Sequence, residues 1–336
     1  MEALQMKSSA KFSGYRFLII GGTSKAGTTS VFTYLAGHPQ ICPAEKETRF
    51  FLDADYPLPS KKRYQRDGQE KYLSLFGSGP QESWRFEATP DYLYSANTPH
   101  VIHETLASVH FIFILREPIS RLLSWYRFAR KRGVIPYDLT FDDYICIQQG
   151  NGTSLPRERD HPAFHALEQG RYSVYLRPYL ELFDKRVVHI AFYEDLQRDP
   201  LVFMTSICHS VGIDTAYFQE YRFDVVNKGS DVRSPGLHKA YLESQERIHK
   251  LVRNMPVLRL LLRRLRPNVT ATYEKLNVIR GKNVAMSNAT KDFMASYYEE
   301  EPAKLREMLG VELPWPSNRR SGLSEAGSEL SEHGAG

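Results

Sequence analysis

The sequence predicts a three-layer α/β fold, a mostly parallel sheet flanked by helices on both faces. Three runs carry that prediction: residues 15–21 (YRFLIIG), 110–115 (HFIFIL) and 187–192 (VVHIAF). Each is apolar, β-rich and of strand length, and each is followed by a stretch with helical spacing. Strands that alternate with helices form parallel neighbours, because a crossover must carry the chain back to the same edge.

The first unit is the most informative. Residues 15–21 end in glycine, residues 22–27 form a turn of small residues, and residues 28–37 place Val31, Tyr34 and Leu35 on one helix side. Strand, glycine loop and helix make the opening βα unit of a phosphate-binding fold. In the second unit Pro118 follows Arg116 and Glu117, and a helix is predicted to about residue 132. The third strand closes on Tyr193, with a helix predicted over 200–211, and a polar helix is expected over 285–310. Residues 53–85 and 148–170 are polar and irregular and read as surface insertions. The domain is assigned to 15–316, between an N-terminal arm (1–14) and a Ser/Gly/Glu-rich tail (317–336) expected to be disordered.

Composition sets the class. The chain is 42% hydrophobic and 25% charged, as globular proteins are. Its net charge of +5 favours an anionic ligand but is too small and scattered for nucleic acid. Three cysteines with no CxxC pair argue against a disulfide framework or zinc site and for a reducing compartment. No apolar run reaches the ~18 residues of a membrane span, and the start of the chain lacks a signal-peptide core. A cytoplasmic location is expected, and the sequons at Asn151, Asn268 and Asn288 read as chance matches. Residues 255–266 form a basic amphipathic helix, read as packed by its leucines with a solvated arginine face.

The loop Gly22-Thr23-Ser24-Lys25-Ala26-Gly27-Thr28-Thr29-Ser30 has the spacing of a nucleotide-triphosphate loop. Inward backbone N–H groups and the following helix end would cradle a phosphate. A nucleoside triphosphatase, however, has lysine at position 28, followed by a hydroxyl that holds magnesium. Here position 28 is Thr and the lysine has moved to Lys25. From there an ammonium can neutralise charge on the oxygen between a 5′-phosphate and its leaving group, with no metal required. The segment KAGTTS resembles the 5′-phosphosulfate loop of sulfotransferases that use 3′-phosphoadenosine 5′-phosphosulfate (PAPS). The resemblance implies that Lys25 contacts the phosphosulfate bridge, that Ala26, Gly27, Thr28, Thr29 and Ser30 bind the 5′-phosphate, and that the fold is that of nucleotide kinases.

The segment ILREPISRLLSWY supplies a second anion site. Arg116 ends a strand, where α/β sheets bind ligands, and Ser124 lies eight residues on. This pair is similar to the family's 3′-phosphate motif. Tyr193 resembles a tyrosine near the adenine, and Lys228, Gly229 and Arg233 resemble a loop that closes over the 3′-phosphate.

On the acceptor side, KETRFF resembles the segment that supplies the catalytic base in heparan-type sulfotransferases, which makes Glu47 the expected general base. The alternative for Glu47 is a surface ion pair with Lys46 or Arg49. A competing base is His110, which reads as structural within HFIFIL. Residues 87–92 (EATPDY) resemble the family's Glu-Lys-Thr-Pro-x-Tyr stretch, with Ala88 in place of a lysine that is catalytic in some heparan enzymes. Arg49, Phe50, Thr89 and Tyr92 are expected to line the acceptor pocket. The acceptor itself, whether small molecule, lipid or carbohydrate, stays open. So do two other readings, a phosphoryl-transferring kinase of the same fold and an inactive PAPS-binding protein.

Overall fold

The computed structural model describes residues 14–68, 70–80, 82–150, 161–224, 230–252, 275–280 and 284–315, together with Phe12, Val269, Thr270, Thr272 and Tyr273. Lys228, Gly229, the basic stretch 255–266 and the tail from 317 lie outside the described residues.

The central sheet has five strands: β1 (Arg16–Gly22), β2 (Ile41–Pro43), β3 (Trp84–Ala88), β4 (Val109–Leu115) and β5 (Val188–Phe192). Their order is β2-β3-β1-β4-β5, and every pairing is parallel. Side chains alternate between the two faces of the sheet. Leu18, Ile20, Ile112 and Ile114 meet α1 (Thr28–Ala36) and, further along the chain, the helix Pro200–Val211, through Val31, Leu35, Met204 and Ile207. Phe17, Ile19, Phe111 and Phe113 face the other way. They are covered by α2 (Thr98–Thr105) and by the helix Tyr172–Leu182, with Ile102, Leu176 and Tyr179. Burial on both faces explains why β1 and β4 read as continuous apolar runs.

After β4 come α3 (Pro118–Lys131), α4 (Phe141–Gln148) and α5 (Tyr172–Leu182). Pro118 sits in the first turn of α3, and the Glu117 carboxylate accepts from the backbone N–H of Ile119 (2.9 Å) and Ser120 (2.6 Å). Proline and a capping carboxylate together satisfy a helix start. After β5 come α6 (Tyr193–Arg198), α7 (Pro200–Val211) and α8 (Pro235–Val252), then α9 (Asn288–Tyr297) and α10 (Glu301–Leu309). An antiparallel ribbon, β6 (Ser230–Val232) with β7 (Val278–Arg280), lies along α3.

Four expectations change. The stretch 53–85 is not wholly a surface insertion: Tyr72 and Phe76 are buried against Phe17, and Trp84 and Arg85 begin β3. Within 148–170, Ala163, Phe164 and Leu167 join a core with Leu122, Tyr126 and Tyr144. The fully buried Arg121 ties that stretch to α3 by donating to the Ala166 carbonyl. The helix expected over 285–310 is two, α9 and α10, with Tyr298–Glu300 between them. Phe12, assigned to the arm, is buried edge-on against Phe17 at 5.5 Å.

From β1 the chain builds β2 and β3 on one side, then returns to build β4 and β5 on the other. The point where strand order reverses is where sheets of this kind open a ligand crevice at their C-terminal edge. Gly22, Thr89, Arg116 and Tyr193 stand at or just beyond the ends of β1, β3, β4 and β5.

Candidate active site

The loop after β1 is shaped for close approach. Gly27 precedes α1 with φ 80°, in the left-handed region. A Cβ there would stand 2.8 Å from Leu196 and 3.0 Å from Tyr193, so glycine is required on two counts. The first-turn N–H groups of α1, from Thr28 to Ser30, have no partner earlier in the helix and mark its positive end. Thr23 is fixed beneath the loop by its N–H to the Ile114 carbonyl (2.9 Å) and by a hydrogen bond shared with the Tyr94 hydroxyl. Ala26 is buried in the core under α1, and Ser30 hydrogen-bonds Tyr34 one turn on.

Lys25 is the centre of a cationic cluster. Its ammonium lies 4.0 Å over the Phe128 ring. Burial first, then the charges of Arg116, Arg132, Lys131 and Lys46, lower its pKa to about 8. The Arg116 guanidinium donates to the Lys25 carbonyl at 3.1 Å and rests 4.5 Å over the Tyr193 ring. The Arg116 carbonyl in turn accepts from the Tyr172 hydroxyl at 2.7 Å. Ser124 stands one turn before Phe128 on α3, on the helix face that Phe128 turns toward Lys25. The loop, Lys25, Arg116 and Tyr193 therefore share one edge of the sheet. Arg233 is exposed at the end of β6, beside α3.

Acceptor-side residues lie between β2 and β3. The Glu47 carboxylate accepts from Lys46 Nζ at 3.3 Å on Oε1, and from Arg49 Nη2 (3.1 Å) and Nε (3.3 Å) on Oε2. The ion pairs expected as the alternative for Glu47 are thus formed. They do not remove it from the site, because Lys46 also donates to Thr29 Oγ1 on the phosphate loop at 3.1 Å. Arg49 is anchored by the Pro59 carbonyl at 3.0 Å.

Three residues expected to line the acceptor pocket are instead fully buried. Phe50 stacks on Tyr72 at 5.1 Å and meets Phe51 edge-on at 5.2 Å. Thr89 and Tyr92 bond Glu87. Apolar area and hydroxyl pairing both hold these side chains inside, so they support the site from behind. Ala88 faces the core beneath α1. His110 is removed from the chemistry: it pairs with His189 at 3.0 Å, and it stands about 20 Å along β4 from Arg116 at ~3.3 Å per residue.

Three functional candidates escaped the sequence reading. Glu87 is wholly buried and accepts from Tyr72 (2.6 Å), Tyr92 (3.1 Å), Thr89 (3.1 Å) and Thr48. Burial raises its pKa while the four hydroxyls lower it. Through Thr48 it locks the Lys46–Arg49 segment to β3. Asp91 is buried and accepts from the Tyr56 hydroxyl at 3.0 Å. Burial, then the charge of Glu47, push its pKa up to about 6. Lys46 is the third. The only signal for any of them was membership of the strings KETRFF and EATPDY.

A sulfotransferase domain model matches residues 16–253. The bifunctional heparan sulfate N-deacetylase/N-sulfotransferase 4 of Mus musculus is 27% identical over 210 residues, covering 60% of this chain and 23% of that protein. The membrane-associated sulfotransferase kil1 of Dictyostelium discoideum is 33% identical over 136 residues, covering 38% of this chain and 27% of its own. This chain thus spans about a quarter of the length of these curated relatives. Among solved structures, a sulfotransferase from Alicyclobacillus acidocaldarius aligns with a TM-score of 0.53 at 22% identity, covering 71% of this chain and 96% of that one, which is a likeness of fold. Because the domain model matches from the first residue of β1 to just past the end of α8, this chain belongs to the sulfotransferase domain family.

Proposed function

We propose that this protein transfers a sulfuryl group from PAPS to a hydroxyl or amine of an acceptor and releases adenosine 3′,5′-bisphosphate. One observation carries the reading. Lys25 is buried among Arg116, Arg132, Lys131 and Lys46 beside a glycine-cradled helix start, and burial first, then their charges, lower its pKa to about 8. A polyanion would relieve that mutual repulsion, and a ligand with a phosphate at each end of an adenosine matches the two sites on one sheet edge.

The donor supplies an activated sulfuryl group. The loop and the first turn of α1 hold the 5′-phosphate. Arg116 and Ser124 hold the 3′-phosphate, and Tyr193 and Tyr172 fix Arg116 in place. Glu47 accepts the proton of the acceptor as its oxygen or nitrogen bonds to sulfur. Lys25 stabilises the electron pair left on the phosphate oxygen when the old S–O bond breaks. Positioned bases contribute about 10²–10⁴ in rate, and one preorganised donor about 10²–10³. Glu87, through Thr48, keeps the segment carrying Glu47 in register.

The test is incubation with ³⁵S-labelled PAPS and a panel of hydroxyl and amine acceptors. Label transferred to an acceptor by the wild type and lost in Lys25→Met supports the reading. Equal transfer by both proteins refutes the role given to Lys25, and no transfer to any acceptor leaves only a binding protein.

A further inference from the structure

We propose that Lys46 is a second donor-side cation, which Glu47 holds while the site is empty and which moves to the 5′-phosphate when the donor binds. The inference rests on the PAPS reading above and adds to it a residue not included in either motif.

The geometry places Lys46 at the junction of the two half-sites. Its ammonium donates to Thr29 Oγ1 at 3.1 Å on one side and to Glu47 Oε1 at 3.3 Å on the other. Thr29 belongs to the first turn of α1, where the cradle would receive a phosphate. Lys46 also contributes to the field that lowers the Lys25 pKa, so its charge is felt inside the loop. An ammonium with three donors, poised between a carboxylate and a phosphate dianion, shifts toward the denser negative charge.

Glu47 can give up this partner without losing its place. Its second oxygen stays paired with Arg49, which is anchored to the Pro59 carbonyl. Donor binding would thus free one Glu47 oxygen for the acceptor while Arg49 keeps the other in place. By linkage, what the donor does to Glu47 is returned in kind: removing the Glu47 charge must strengthen donor binding through Lys46.

The experiment is calorimetric titration of the full chain with adenosine 3′,5′-bisphosphate, in the wild type, Glu47→Gln, Lys46→Met and the double variant. Releasing a partly exposed ion pair is expected to make Glu47→Gln bind about three- to fivefold tighter than wild type. The gain should vanish when Lys46→Met is the background and persist when Lys46→Arg is. Lys46→Gln serves in place of Lys46→Met should that variant fail to fold. A gain of the same size with and without Lys46 would mean that Glu47 acts on the ligand directly, and would overturn the proposal. Absence of any gain would do the same. Failure of the wild type to bind the bisphosphate would instead refute the donor reading on which the proposal stands.

Discussion

The Arg116 guanidinium donates to the backbone carbonyl of Lys25 at 3.1 Å. One bond therefore joins the two proposed anion sites, and Lys25 is held with φ 74°, a left-handed conformation that side-chain-bearing residues rarely take. The end of β4 is thus tied to the loop after β1, which puts the two proposed anion sites side by side.

Arg116→Ala is predicted to weaken binding of adenosine 3′,5′-bisphosphate by about 10- to 100-fold, the range for losing a charge-assisted hydrogen bond. Arg116→Lys should recover little, since an ammonium lacks the planar fork that reaches Lys25 and lies flat on Tyr193. Titration calorimetry measures both.

The Lys25 pKa gives a pH dependence with a defined sign. In the free protein burial and neighbouring cations bring it to about 8, and a bound anion holds the lysine charged. Binding above that pH must take up a proton, so affinity should be flat below pH 8 and fall up to tenfold per unit above it. In Lys25→Met that limb should disappear. An unchanged slope in the variant would assign the titration to another group.

For Glu47→Gln, turnover is predicted to fall by about 10²-fold or more while the bisphosphate still binds. Steady-state kinetics with any productive acceptor checks the first part, and calorimetry the second. Unimpaired turnover would move the base elsewhere, and Asp91 is then the neighbouring carboxyl to vary.

Tyr72→Phe removes one of four hydroxyls from the buried Glu87 carboxylate. A destabilisation of about 1–3 kcal/mol is expected, the cost of leaving a buried acceptor short of a donor. Urea unfolding measures it, and a neutral substitution would show that Glu87 does not hold this part of the fold together.

What the sequence disclosed follows from how locally each feature is encoded. β1 and β4 are buried on both faces, so their runs are apolar throughout and easily read. β3 is buried on both faces too, but only Trp84, Phe86 and Ala88 meet an apolar core; Arg85 and Glu87 point the other way into polar partners, which gives the string WRFEA a polar look. β2 has only three residues and no periodicity to detect. The loop and Arg116 were legible because backbone geometry and charge are written in consecutive residues. Lys46, Glu87 and Asp91 matter through partners 17, 15 and 35 residues away in the chain, at Thr29, Tyr72 and Tyr56, and no local pattern announces such pairings. Phe50 and Tyr92 were misplaced for the same reason, because the side chains that enclose them come from other elements.

The most direct test compares adenosine 3′,5′-bisphosphate with AMP as ligands, in the wild type and in Arg116→Ala. If two anion sites flank one adenosine, the 3′-phosphate should improve wild-type affinity at least ~10-fold, and Arg116→Ala should erase most of that advantage. Equal affinity for the two nucleotides in the wild type would contradict the account.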